Sequence, residues 1–215
     1  KGYQFKDVPV ITNEKSKTLY TWEVNQVKAM KPELFAGRSF HLLPTLFLAP
    51  GTFKLGDKEG DMKSWNSYGT FFYKLNSGRD ALPENTKATV HKLIEGKDNW
   101  KDKVKTLYQY LQDHTRYLNI SFGIGGWQTI DAATVASKGY GDCKALSNYM
   151  MAMLKEAGIA SNVVIIRAGE GEGEIIHDFP SNQFNHVIVC VPHEKDTMWL
   201  ECTNQYLQPG YLSSF

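Results

Sequence analysis

Long apolar runs are missing from this chain. The longest uninterrupted ones are only a few residues, far short of the roughly 20 that a membrane-spanning helix needs, so no segment reads as transmembrane. A surplus of one charge is missing too: 24 basic residues against 23 acidic ones give a net charge of +1. That balance gives no electrostatic footprint for nucleic acid or another polyanion. Cysteine is scarce, with three residues at 143, 190 and 202 and at least one of them unpaired. Neither CxxC nor HExxH occurs, so neither a disulfide scaffold, nor a zinc site, nor a short-range redox pair is indicated. Nothing implies a cofactor. The chain begins at Lys1 with no initiator methionine or signal peptide and enters a strand-like pattern almost at once, so it is read as an excised fragment.

What remains is an ordinary globular composition over 215 residues, enough for one large or two small domains with a substantial core. Residues 18–29, rich in Thr, Tyr, Trp and Val, predict a strand, and residues 39–49 predict another with Pro44 at an edge or bulge. Asp61 caps an expected helix to Leu75 that carries Trp65, Tyr68 and Phe72 on one side. A second helix starts at Pro83 and runs to Ile94. The longest early helix is expected over 99–118, with Val104, Leu107, Tyr108 and Leu111 on its apolar face and His114 nearby as a packing or capping residue. The glycine-rich stretch 123–128 predicts a tight irregular loop. It is not a phosphate loop, since it has neither GxGxxG spacing nor a GK[ST] ending. A short helix capped by Asp131 follows.

The chemistry starts at Gly141-Asp142-Cys143-Lys144. Leu146, Tyr149, Met150, Met153, Leu154 and Ala157 then recur at helical spacing, which predicts an amphipathic helix ending at Gly158 with Cys143 in its first turn. The unpaired amides of a helix start favour a thiolate over a thiol. Next come a buried β-branched strand over 162–167, a solvated Gly/Glu loop over 169–174 that could serve as a lid, and a hairpin of strands 183–191 and 197–203. A four-residue loop, Pro192 to Lys195, pairs positions summing to 387 and sets His186 opposite Glu201. There the two Cβ atoms would lie about 4.5–5.5 Å apart on one face. Nucleophile, base and orienting acid are the three roles that thiol catalysis needs. An oxyanion hole would use the Cys143 backbone N–H, with the Gln128 side-chain amide as the candidate second donor.

Three blocks carry a family resemblance. They are Gly123-Ile124-Gly125-Gly126-Trp127-Gln128 through Gly141-Asp142-Cys143-Lys144, then Phe184-Asn185-His186-Val187-Ile188-Val189, then Trp199-Leu200-Glu201-Cys202-Thr203. Over residues 100 to 205 the chain resembles the transglutaminase-like superfamily. The resemblance implies an α+β, papain-like core in which a Cys-bearing helix packs on an antiparallel sheet. It also implies Cys143 as nucleophile, His186 as general base and acid, and Glu201 as the third member. The family usually has Asp-Pro where this chain has Glu201-Cys202, and an acidic residue where this chain has Ala145 and Leu146. Residues 1–80 resemble the end of a β-rich domain of unknown function with a linker helix, which leaves 81–215 as the catalytic core. The resemblance also implies further domains outside this fragment, a bacterial source, and a periplasmic or secreted setting.

Two functional classes follow. One is acyl transfer through a Cys143 thioester on a protein or peptide substrate. For a bacterial-looking chain with no calcium-loop signature, the resemblance alone implies hydrolysis over transamidation there. The other is a catalytically silent module that keeps the fold and presents its cleft to a peptide or glycan. Glu201 at the acid position gives this second class its weight.

Overall fold

The computed structural model describes residues 2–3, 8–31, 34, 42–169 and 174–212. Strand β1 (Gly2–Tyr3) pairs antiparallel with the later Thr45–Leu46, and strands β2 (Val10–Glu14) and β3 (Lys17–Thr21) form a hairpin exposed along its whole length. The strand expected over 18–29 therefore ends at Thr21, and its partner β2 has no alternation marking it, because neither face of the hairpin is buried. Of the strand expected over 39–49, residues 39–41 lie outside the described residues. The remainder contains only β4 (Thr45–Leu46), just after Pro44. A second hairpin, β5 (Thr52–Leu55) and β6 (Lys58–Asp61), leads into the first long helix.

Helix α1 (Trp65–Asn76) starts later than the sequence suggests. Asp61 is the last residue of β6, paired with Thr52, and Ser64 is the N-cap. Ser64 and Ser67 form a reciprocal capping box, and Asp61 accepts from the Ser67 hydroxyl at 2.6 Å. The rings of α1 make an aromatic cluster with neighbours from distant parts of the chain. Phe53 of β5 meets Phe71 edge-on, Phe72 stacks on Trp127 with centroids 5.7 Å apart, and Trp65 and Tyr68 both meet Phe184.

Helix α2 (Glu84–Ile94) follows as expected, and α3 (Trp100–His114) is capped by the Asn99 side chain. Val104, Leu107, Tyr108 and Leu111 are buried along α3, and His114 stacks on Tyr110. The helix stops at Thr115 rather than at 118 because the backbone turns extended there, forming β7 (Arg116–Tyr117). Instead of an irregular loop, residues 123–126 form a single 3-10 turn. Helix α4 (Ala132–Lys138) has Asp131 at its N-cap position, but the Asp131 carboxylate is bound by Arg79 at 2.9 Å and caps nothing. Strand β8 (Tyr140–Gly141) then lies parallel to β7, with Tyr117 opposite Gly141.

Helix α5 (Cys143–Glu156) is more deeply buried than a one-faced amphipathic helix. Leu146, Tyr149, Met150, Met153 and Leu154 are inside, but so are Ala145, Ser147, Asn148 and Ala152. The helix contacts α2, α3 and α4 as well as the sheet, so little of its circumference is left for water. That sheet has the order β11 (Asp196–Leu200), β10 (His186–His193), β9 (Asn162–Ile166) and is antiparallel throughout. Val189, Val191 and Leu200 join the helices in one core, and the Ser147 hydroxyl donates to the Val187 carbonyl.

The hairpin is tighter than the sequence predicts. His193 pairs with Asp196 across a two-residue turn, Glu194-Lys195, so paired positions sum to 389. Pro192 can lie inside β10 because β9 pairs only as far as Cys190, so the missing N–H deprives no neighbour. The shift from 387 to 389 is two residues. Because side chains alternate with period two, it leaves His186 and Glu201 on the same face.

Helix α3 follows β11 and the segment after it for its whole length. At one end, Trp100 stacks on His193 at 4.4 Å and Lys101 binds Asp196 at 3.0 Å. Further along, the Tyr108 hydroxyl donates to the Glu201 carbonyl at 2.5 Å, and Gln112 donates to the carbonyls of Asn204 and Leu207. The Thr115 carbonyl closes the series by accepting from Gln205. No helix among the described residues is long and apolar enough to cross a membrane.

Candidate active site

Cys143 is the first residue of α5, and its position follows from the residues on either side. Asp142 is the N-cap, its Oδ1 accepting the Ala145 N–H at 2.9 Å. The other carboxylate oxygen is bound by Lys144 at 2.6 Å, so the buried negative charge beside the thiol is paired within the motif. Gly141 is required by packing: a Cβ there would lie 2.7 Å from that of Ala145. Cys143 itself is partly exposed, whereas Cys202 is buried, and burial pushes its thiol well above the ordinary range.

His186 is the first residue of β10. Its Nε2 lies 2.6 Å from Glu201 Oε2, and the ring also hydrogen-bonds the Cys143 side chain. Burial alone would disfavour the imidazolium. The hydrogen bonds and negative charges of Cys143 and Glu201 outweigh it and raise the His186 pKa to about 9. Glu201 is nearly inaccessible. Burial works against its ionised form, but its hydrogen bonds to His186 and Thr203 prevail and hold the carboxyl below its usual range. The structure thus brings Cys143, His186 and Glu201 into one hydrogen-bonded row.

Two residues that complete this row escape a reading of the sequence. Thr203 donates to Glu201 Oε1 through both its backbone N–H, at 2.8 Å, and its hydroxyl, at 2.6 Å. Tyr108 fixes the backbone of the acid from behind, and its own phenol is raised by burial. Thr203 stands two residues after the acid, a spacing at which a side chain and backbone can grip a carboxylate, and that spacing was its only signal. Tyr108 is indistinguishable in sequence from the other apolar residues on its helix face.

Gln128 is not brought to this group. Its Nε2 donates to the Leu75 carbonyl at 2.9 Å, tying the glycine-rich segment to α1, while its neighbours Trp127 and Thr129 line the cleft. A different polar side chain lines the cleft together with Cys143. Tyr117, held by β7 opposite Gly141, is half exposed, and its phenol is raised by burial and then by the negative charges of Cys143, Asp142 and Glu201. The cleft measures about 950 Å³ and runs from Cys143 and His186 along the aromatic face of α1.

The sequence pattern of the transglutaminase-like superfamily matches residues 87–207, more than half of the chain. The chain belongs to that superfamily. No curated protein matches it. In three dimensions this transglutaminase-like chain is similar to a candidate protease from Parabacteroides distasonis, with TM-score 0.50 and 18% identity over 60% of this chain and 25% of that one. A candidate cysteine protease from Cytophaga hutchinsonii gives TM-score 0.44 and 11% identity over 59% of this chain and 41% of that one. A TGase gives 0.40 and 20% over 68% and 40%. This chain therefore spans less than half the length of each of these proteins. The first likeness agrees with the α+β transglutaminase-like fold, a Cys-bearing helix packed on an antiparallel sheet.

Proposed function

We propose that this transglutaminase-like chain is a thiol enzyme that hydrolyses amide bonds in peptide or protein substrates through a Cys143 thioester. The observation that carries the reading is the hydrogen-bonded row Cys143–His186–Glu201 at one end of an open cleft. His186 takes the thiol proton, and the sulfur attacks the substrate carbonyl. The tetrahedral oxyanion accepts the Cys143 backbone N–H, and the Tyr117 hydroxyl is the second donor in place of Gln128. The imidazolium passes its proton to the leaving amine as the C–N bond breaks. His186 then deprotonates a water, which attacks the thioester carbonyl. Collapse releases the carboxylic acid and returns the proton and electron pair to the sulfur. Glu201 holds the imidazole in the tautomer and orientation this sequence needs, as the acid of a triad does.

Incubating peptide amides with and without an added primary amine, and identifying products by mass, tests the reading. Free acid in both conditions is expected, with turnover lost in Cys143→Ala. An amine adduct as the main product would replace hydrolysis with transamidation. Unchanged turnover in Cys143→Ala would remove the thioester altogether. Tyr117→Phe is expected to lower kcat about 100-fold with little change in KM, the size of loss seen when an oxyanion donor is deleted.

A further inference from the structure

Gly69 lies in the interior of α1, where glycine is less favourable than any residue except proline. The protein offers no internal reason for it. The backbone there does not take the left-handed conformation that glycine serves, and a Cβ would meet no atom within 4 Å. Gly69 instead lines the same cleft as Cys143 and His186. A residue that costs helix stability and relieves no clash keeps space open, and that space belongs to whatever occupies the cleft.

The surrounding surface defines the occupant. Phe72, Trp127 and Phe184 line the cleft with Gly69 and are linked by ring contacts through Tyr68. The three asparagines nearest this aromatic wall are engaged within the protein. Asn76 accepts from the Thr129 N–H and donates to the Phe72 carbonyl, Asn148 donates to the Arg79 carbonyl, and Asn182 accepts from Tyr68. The cations are paired as well, Lys144 with Asp142 and Lys155 with Asp80. A wall of rings with neutralised charge and committed amides selects by apolar contact.

We propose that Gly69 and the rings beside it form a subsite for a large apolar, above all aromatic, side chain of the peptide substrate near the scissile amide. The proposal rests on the peptide-hydrolase reading and names the substrate class of that site. A leucine at position 69 would occupy the space and exclude such a side chain while leaving small ones unaffected.

The test measures binding separately from turnover. In the Cys143→Ala chain, labelled peptides that differ only in Phe or Ala at each residue flanking the amide are titrated by fluorescence anisotropy. At one of those positions the Phe peptide is expected to bind about tenfold more tightly, a modest value for filling an apolar pocket. Adding Gly69→Leu should erase that ratio without weakening the Ala peptide. Gly69→Ala should raise the melting temperature while reducing the ratio, which separates loss of the subsite from loss of fold. Equal affinities for the two peptides, no measurable binding of either, or an equal loss for both on Gly69→Leu would overturn the subsite. Turnover by the unmodified chain is scored independently. Preferential binding without cleavage sinks the hydrolase reading and keeps the subsite, and cleavage without preference does the reverse.

Discussion

Thr203 grips the Glu201 carboxylate oxygen that faces away from His186, using both its backbone N–H and its hydroxyl. Glutamate has one more rotatable bond than the aspartate usual in this superfamily, and this grip removes the freedom that bond would add. Thr203→Val keeps the shape and loses the 2.6 Å hydroxyl bond. A hydrogen bond to a charged group is worth about 1.5–3 kcal/mol, so a fall in kcat of about tenfold or more is expected, together with a lower urea midpoint. Thr203→Ser should retain both quantities. Steady-state kinetics and urea unfolding of the two variants decide it, and equal losses in both would show that the hydroxyl does not act through Glu201.

The His186–Glu201 pair should leave a signature in stability against pH. Imidazolium is favoured in the folded state, so its contribution is complete below the ordinary value of 6.5 and disappears as pH rises through about 9. The Glu201 carboxyl is held below its ordinary 4.5, so its contribution is present above that value and disappears as pH falls through the lower folded one. Urea midpoints of the unmodified chain and Glu201→Gln should therefore differ most between pH 4.5 and 6.5 and converge toward pH 9. A gap that widens above pH 7 would contradict a stabilised imidazolium.

Alkylation should rank the three thiols. Cys143 is partly exposed and bonded to an imidazole, Cys190 is partly exposed near Asn162, and Cys202 is buried with its thiol pushed up. Iodoacetamide at neutral pH, followed by peptide mass mapping, should modify Cys143 first by about tenfold or more and leave Cys202 intact until the chain unfolds. Equal rates at Cys143 and Cys190 would mean that His186 does not activate the sulfur.

Gly141→Ala is expected to be among the most damaging single-methyl changes near the site, because the added Cβ would stand 2.7 Å from Ala145 Cβ. Overpacking of this kind costs about 1–3 kcal/mol. Combining it with Ala145→Gly clears the clash and should recover much of the thermal midpoint, even though glycine is the poorer helix former. Calorimetry on the two single variants and the double gives the coupling, and strictly additive losses would rule out the contact as the cause.

The helices, and the place of Cys143 at the start of one, are legible in the sequence because they leave local marks. Leu146, Tyr149, Met150, Met153 and Leu154 recur at helical spacing, and all are buried. His186 and Glu201 were legible for a subtler reason. The four-residue hairpin loop expected there is two residues too long, so His186 and Glu201 are not directly opposed, but an offset of two keeps them on one face and within hydrogen-bond reach. What remained hidden depends on contacts between distant segments. Gln128 has the chemistry of an oxyanion donor and is spent on Leu75, 53 positions away, while Tyr117 is brought to the cleft of Cys143 by a two-residue parallel bridge. Asp61 and Asp131 each had the composition of a helix cap, and each is diverted, by Ser67 and Arg79 respectively.

Helix α3 supplies no group to the proposed reaction, yet it touches the hairpin tip at Trp100 and Lys101, the Glu201 backbone at Tyr108, and the segment beyond it at Gln112 and Thr115. It works as a splint. The backbone that carries Glu201 is held by a helix fastened to the hairpin at one end and to the following segment at the other. Substitutions at Trp100 or Gln112, far from the sulfur and unrelated to any chemical step, would then act as misalignments of the acid, altering rate while leaving the cleft and its occupants untouched.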